Sequence, residues 1–150
     1  MDIKKTAYSF ANFTIKRIAE IFGITVFCAG ILLLLALITY SPEDPNFIFP
    51  ENTKIKNILG FQGSFVSDVF FQSIGLVSYF FSFTLIVTGI NIIRSKEFFL
   101  IIENIFFAII YFIFGTLFFA HFYSEAFTLY INGNGGFIGC LLYTSPSPRD

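Results

Sequence analysis

An all-α, polytopic membrane bundle is the fold expected of this 150-residue chain, on three grounds. Hydrophobic residues make up 55% of it and charged residues only 13%, about half the charged share of an ordinary globular domain. Mean hydropathy is +0.77, so the apolar residues exceed what one small core can hide, and intrinsic disorder fails for the same reason. The apolar residues are also gathered into three uncharged runs, Ile21 to Ser41, Val69 to Ile93 and Asn104 to Ser124. Each is long enough to cross a hydrocarbon core, which takes about 20 helical residues. In lipid the backbone must satisfy its own hydrogen bonds, which makes these runs helices despite their Phe and β-branched content. No period-2 alternation argues for strands.

The chain opens with a basic lead-in, residues 1–19, in which Lys16 and Arg17 lie among Tyr8, Phe10, Phe13, Ile15 and Ile18. That mixture suggests a short interfacial helix. The first span, about residues 20–41, starts too far in and is too long for a cleaved signal. It reads as a retained anchor. Its exit is marked by Tyr40, an interfacial aromatic, and by Ser41-Pro42, since Pro cannot continue a helix. The second span, about residues 64–93, is expected to open after Gly60 and Gly63 with Ser64 as N-cap and Asp68 near the positive end of the helix dipole. The third, about residues 98–124, follows the link Arg94-Ser95-Lys96-Glu97, short enough to make spans two and three an antiparallel hairpin. Gly133-Asn134-Gly135-Gly136-Phe137-Ile138-Gly139 then reads as a flexible turn on the approach to a fourth span. It fails as a dinucleotide loop, because Ile138 stands where the last glycine is needed and no βαβ unit precedes it.

Small residues recur every seven positions: Gly23 and Gly30, then Gly75, Ser82 and Gly89, then Ala108 and Gly115. Close packing of helices in lipid uses such residues, although Gly and Ala are also common there without a seam. Orientation follows from the cations. Lys4, Lys5, Lys16, Arg17, Arg94 and Lys96 fall on one side, and only Lys54 and Lys56 on the other, opposed by Glu43, Asp44, Glu51 and Asp68. The positive-inside rule therefore places the N-terminus in the cytoplasm and the Pro42 to Gly63 loop outside.

Chemistry-bearing motifs are lacking. The sequence has no Walker-type loop, no H-E-x-x-H, no C-x-x-C and no serine nucleophile elbow, so no catalytic, cofactor-binding or metal-binding residues are assigned. Net charge is −1 and carries no nucleic-acid signature. Cys28 and Cys140 make no disulfide framework, and Cys28 reads as a small buried hydrophobe. Glu103 and His121 are the ionisable residues nearest the third span, where such groups are functional candidates by default. Glu103 lies six residues beyond Glu97, about 9 Å along a helix, and can snorkel to the interface. His121 is 18 residues further on, about 27 Å, so the two cannot share one site on a straight helix. Asn91 and Gln72 read as interhelical hydrogen-bond partners rather than ligands.

The span exit Ala36-Leu37-Ile38-Thr39-Tyr40-Ser41-Pro42-Glu43-Asp44-Pro45-Asn46, followed by Asn57-Ile58-Leu59-Gly60, Gly63, Asp68, Gln72 and Gly75, forms a specific pattern. It resembles the four-span N-terminal membrane domain of the FtsK/SpoIIIE DNA translocases, with their "L-x-x-Y-x-P-x-D-P" exit and "L-G-x-x-G-x-x-x-x-D" entry. The glycine cluster from Gly133 to Gly139 is similar to the family's loop before span four, and the resemblance covers residues 15 to 139. It implies an inner-membrane, multi-pass anchor at the division septum, with division-machinery membrane proteins as partners and oligomerisation through the full-length protein. ATP, magnesium and DNA would belong to a RecA-like motor beyond the present sequence, so the fragment itself is expected not to be an enzyme. Three spans from a cytoplasmic N-terminus leave the C-terminus outside, and a DNA motor therefore requires a fourth span. At that point the composition changes. Cys140 to Asp150 resembles a translated transposase sequencing adapter, so residues 20–139 are expected to be a partial membrane domain and 140–150 a foreign tail. Two other readings stay open: a small channel or transporter subunit using Glu103, Asn91 or His121, and a structural membrane protein.

Overall fold

The computed structural model describes residues 3–45, 54–96, 99–123 and 133–143. Among these the regular elements are helices: α1 (Ile3–Ile38), α2 (Gly60–Ile74), α3 (Val77–Ser95), α4 (Phe99–Phe122) and α5 (Gly136–Tyr143). Three stretches are long and apolar enough to cross a bilayer: Tyr8–Ile38, Val77–Ser95 and Ile101–Phe122. The expected helical membrane bundle is what the chain forms. At helical rise, α3 is about 28 Å long, close to the thickness of a hydrocarbon core.

The lead-in is not a separate helix. Residues 3 to 22 contain neither Gly nor Pro, so nothing interrupts α1 before the span. Thr14, Thr25 and Thr39 turn their hydroxyls back onto the carbonyls of Phe10, Ile21 and Leu35, which satisfies these polar groups inside the helix. The helix stops at Ile38, just before the Ser41-Pro42 signal.

The second span differs from expectation. Residues 64–93 do not form one helix: α2 ends at Ile74 and α3 begins at Val77. Gly75 breaks them apart with φ +61° and ψ −141°, a region that L side chains rarely enter. The amide of Leu76 donates to the carbonyl of Asn134 at 3.0 Å, and a Cβ on Gly75 would collide with that same carbonyl. The break is therefore held from outside the apolar run. The helix start also moves: α2 opens at Gly60 behind Leu59, and Ser64 lies within it rather than capping it.

Packing of α1 on α3 uses the small-residue seam. A Cβ on Gly89 would lie 2.6 Å from the backbone nitrogen of Phe27 and 2.8 Å from the carbonyl of Gly23. Gly23 in turn faces Ile93, and Gly30 faces Ile86. The two helices run antiparallel at nearly backbone contact. Gly75 is no member of this seam, while Gly115 meets Val77 across the α3–α4 pair. That pair is the antiparallel hairpin expected from the short link. Val77, Phe81, Thr84 and Thr88 meet Gly115, Phe112, Tyr111 and Asn104 in descending order.

Leu33, Leu37 and Phe71 form the buried centre, with Tyr40 and Tyr79 packed on it. Outward faces stay apolar, as along Ile102, Phe106, Ile109, Ile113 and Phe114 of α4. Such a surface suits acyl chains rather than water. Cys28 joins that exterior, a correction to its expected burial, because it falls on the face of α1 away from Gly23 and Gly30. The last helix, α5, continues through the boundary expected at Gly139 as far as Tyr143, and 144–150 lie outside the described residues.

Candidate functional site

The end of the bundle that carries the Pro42 loop is closed by buried polar groups drawn from both sides of that loop. Asp44 is only 4% exposed. Its two carboxylate oxygens accept the backbone amides of Lys56 at 2.8 Å and Asn57 at 2.9 Å. Asn57, equally buried, donates to the carbonyl of Ala36 at 2.9 Å and accepts from the amide of Leu59 at 3.0 Å. Its side chain thus supplies an orphan carbonyl near the end of α1 with a donor, and it shapes the turn into α2. Gly63 must lack a side chain here, since a Cβ would strike Asn57 and approach Leu59 to 2.5 Å. Asp68 is buried on α2 and accepts from the Tyr40 hydroxyl at 3.1 Å. It does not serve the helix start. Tyr40 and Tyr79 pack their rings against Phe71 at 4.8 and 5.6 Å, and Tyr79 donates to the Leu37 carbonyl at 3.3 Å.

At the rim, Lys56 pairs with Glu43. The ammonium holds the Glu43 carboxyl below its usual range, and the carboxylate raises Lys56. The contribution of this pair is present between the ordinary carboxylate and lysine pKa values, and is lost as pH falls through the depressed Glu43 value or rises through the raised Lys56 value. Both groups are fully exposed, so solvent screens the pair.

The opposite end is basic. Glu20 accepts from Arg17 at 2.5 Å and from Lys96 at 2.6 Å, which ties α1 to the residue ending α3. Lys96 adopts the left-handed conformation at φ 59° that closes α3, its amide donating to Ile92 at 2.8 Å. Glu20 escaped the sequence reading. Its spacing of three from Arg17 was the available signal, but Lys96 is remote in sequence.

The intramembrane candidates are not brought together. Glu103 and His121 are exposed on α4, toward its two ends. Asn91 offers its backbone carbonyl to Ser95, and Asn104 donates across the helices to Thr88 at 2.9 Å. A groove of about 870 Å³ runs along α3 and α4 past Phe80, Phe83, Phe114 and Phe118. Its Thr84 and Tyr111 hydroxyls share a hydrogen bond at 2.8 Å, and Thr84 also donates to the Phe80 carbonyl. The glycine cluster is a packed joint rather than a loose turn in its described part. Gly135 and Gly139, one turn apart, would drive a Cβ to 2.7 Å from the Thr116 carbonyl. Buried Asn134 donates its side-chain amide to the Tyr123 carbonyl.

Three apolar crossing helices, a polar closure at one end and a cation cluster at the other define an integral-membrane domain. The chain belongs to the family described as the 4TM region of DNA translocase FtsK/SpoIIIE, whose model matches residues 15–147. Among curated proteins it is 26% identical over 98 residues to DNA translocase FtsK of Rhizobium meliloti (strain 1021), covering 65% of this chain and 11% of that protein. It is 35% identical over 75 residues to DNA translocase FtsK of Caulobacter vibrioides, covering 50% of this chain and 9% of the relative. The corresponding figures for DNA translocase FtsK of Azospirillum brasilense are 28% over 87 residues, 57% and 14%. The chain therefore spans only a small fraction of the relatives it matches. No solved structure matches it.

Proposed function

We propose that this chain is the membrane-anchoring portion of a septal DNA translocase that acts in cell division and chromosome segregation. The observation that carries the reading is the family match over residues 15–147, made concrete by its motif residues. Tyr40, Asp44, Asn57, Gly63 and Asp68, the residues of the resemblance, converge in the closure at one end of the bundle. The anchor performs no catalysis. ATP, magnesium and DNA are handled by a motor outside this sequence, and contacts with division proteins and with other copies hold the whole assembly at the septum. The N-terminus lies in the cytoplasm, on the side of Arg17, Arg94 and Lys96.

The test is localisation. Residues 1–139, extended by the fourth span of a full-length relative and fused to a fluorescent protein, should concentrate at midcell in dividing cells. Uniform fluorescence around the membrane would remove the septal reading and leave a general membrane anchor.

A further inference from the structure

Lys16 and Arg17 on α1 and Arg94 and Lys96 at the end of α3 gather at one end of the bundle. Against them stand Glu20, Glu103 near the start of α4 and, next in sequence to Lys96, Glu97, which lies outside the described residues. The balance is positive. Glu20 does more than neutralise: by accepting from both Arg17 and Lys96 it holds one cation from each helix beside a single carboxylate. Arg17 is further fixed over the ring of Phe13, 5.1 Å from its centroid. A guanidinium has five N–H donors and an ammonium three, so each cation spends one donor on Glu20 and keeps others for a second anion.

The surroundings say which anion. Ile21 and Ile93 follow and precede the cluster directly, and the Gly23–Ile93 contact begins the apolar α1–α3 seam. The cations therefore lie where a bilayer's hydrocarbon ends and its phosphates begin. On the same turns of α1, Phe13, Ile15 and Ile18 are exposed apolar side chains next to these cations. We infer that Arg17 and Lys96, organised by Glu20, together with Arg94 exposed in the last turn of α3, form a binding site for the headgroup of an anionic phospholipid at the junction of α1 and α3. The geometry is independent of the septal reading, because it requires only a bilayer.

The chain contains no Trp, so one introduced indole reports a single place. Ile21→Trp puts it on an exposed position beside Glu20, and Ile38→Trp puts it on an exposed position at the other end of α1. The full chain is reconstituted in phosphatidylcholine vesicles containing brominated phosphatidylglycerol or brominated phosphatidylcholine, whose bromines quench indole on contact. At position 21 the brominated phosphatidylglycerol should quench at about fivefold lower mole fraction, the factor that one well-placed cation supplies at a membrane surface. At position 38 the two lipids should quench alike. Arg17→Gln/Arg94→Gln/Lys96→Gln in the Ile21→Trp background should abolish the preference. Equal quenching at position 21 overturns the inference without recourse to any charge variant. So does an equal preference at position 38, or a preference that survives in the triple variant. Loss of the preference on adding inorganic phosphate at constant ionic strength would overturn it in favour of a free anion.

Discussion

Asp44 is a carboxylate taken out of water and compensated by two backbone amides, those of Lys56 and Asn57. Hydrogen bonds to a charged group contribute about 1.5–3 kcal/mol each, and deleting the acceptor also strands the donors. Asp44→Ala should therefore destabilise the domain by about 3 kcal/mol. Asp44→Asn, which keeps a single acceptor oxygen, should lose roughly half of that. Thermal unfolding in detergent checks the order: wild type above Asp44→Asn above Asp44→Ala. Equal midpoints for all three would show that the closure contributes nothing to stability. The individual motif residues were legible before the structure, whereas their purpose was not. Tyr40 meets Asp68 and Ala36 meets Asn57 across a loop whose path no local pattern encodes.

Helices show the same division between local and remote causes. The end of α1 before Pro42 and the hairpin of α3 and α4 follow from neighbouring residues, so both were foreseeable. The interruption at Gly75 was not. An unbroken apolar run reads as one span, and the break depends on a carbonyl contributed by Asn134, far along the chain. Two glycines separate these causes experimentally. Gly60 and Gly75 both hold positive φ, +67° and +61°, but open space surrounds the Cβ position of Gly60 while Asn134 and Gly136 crowd that of Gly75. Gly60→Ala should cost only the left-handed backbone penalty, about 1 kcal/mol. Gly75→Ala adds the overpacking cost and should reach about 3 kcal/mol. Unfolding midpoints again decide: similar losses at both positions would mean that the Gly75–Asn134 joint yields easily and that the helix break is soft.

Across the whole molecule, charge and shape divide along the same axis. The closure gathers Glu43, Asp44 and Asp68 with Lys56, whereas Arg17 and Lys96 meet around Glu20 at the far end of the α1–α3 pair. The asymmetry counted along the sequence is thus an asymmetry in space, one end of the bundle being acidic and the other basic. Cations are retained on the cytoplasmic side during insertion. The basic end should then face the cytoplasm and the Asp44 closure the exterior. Lys54 and Lys16, both exposed, stand at these two ends. With Cys28→Ser and Cys140→Ser removing background thiols, Lys54→Cys should react with a membrane-impermeant maleimide in intact spheroplasts. Lys16→Cys should react only after lysis. The reverse pattern would place the cations outside and invert the anchor. Reaction of both positions in intact spheroplasts would mean that the chain inserts in two orientations, so that six cations against two do not fix its direction. The expected pattern leaves α4 leading outward, so a chain that is to carry a motor to DNA must cross the membrane once more.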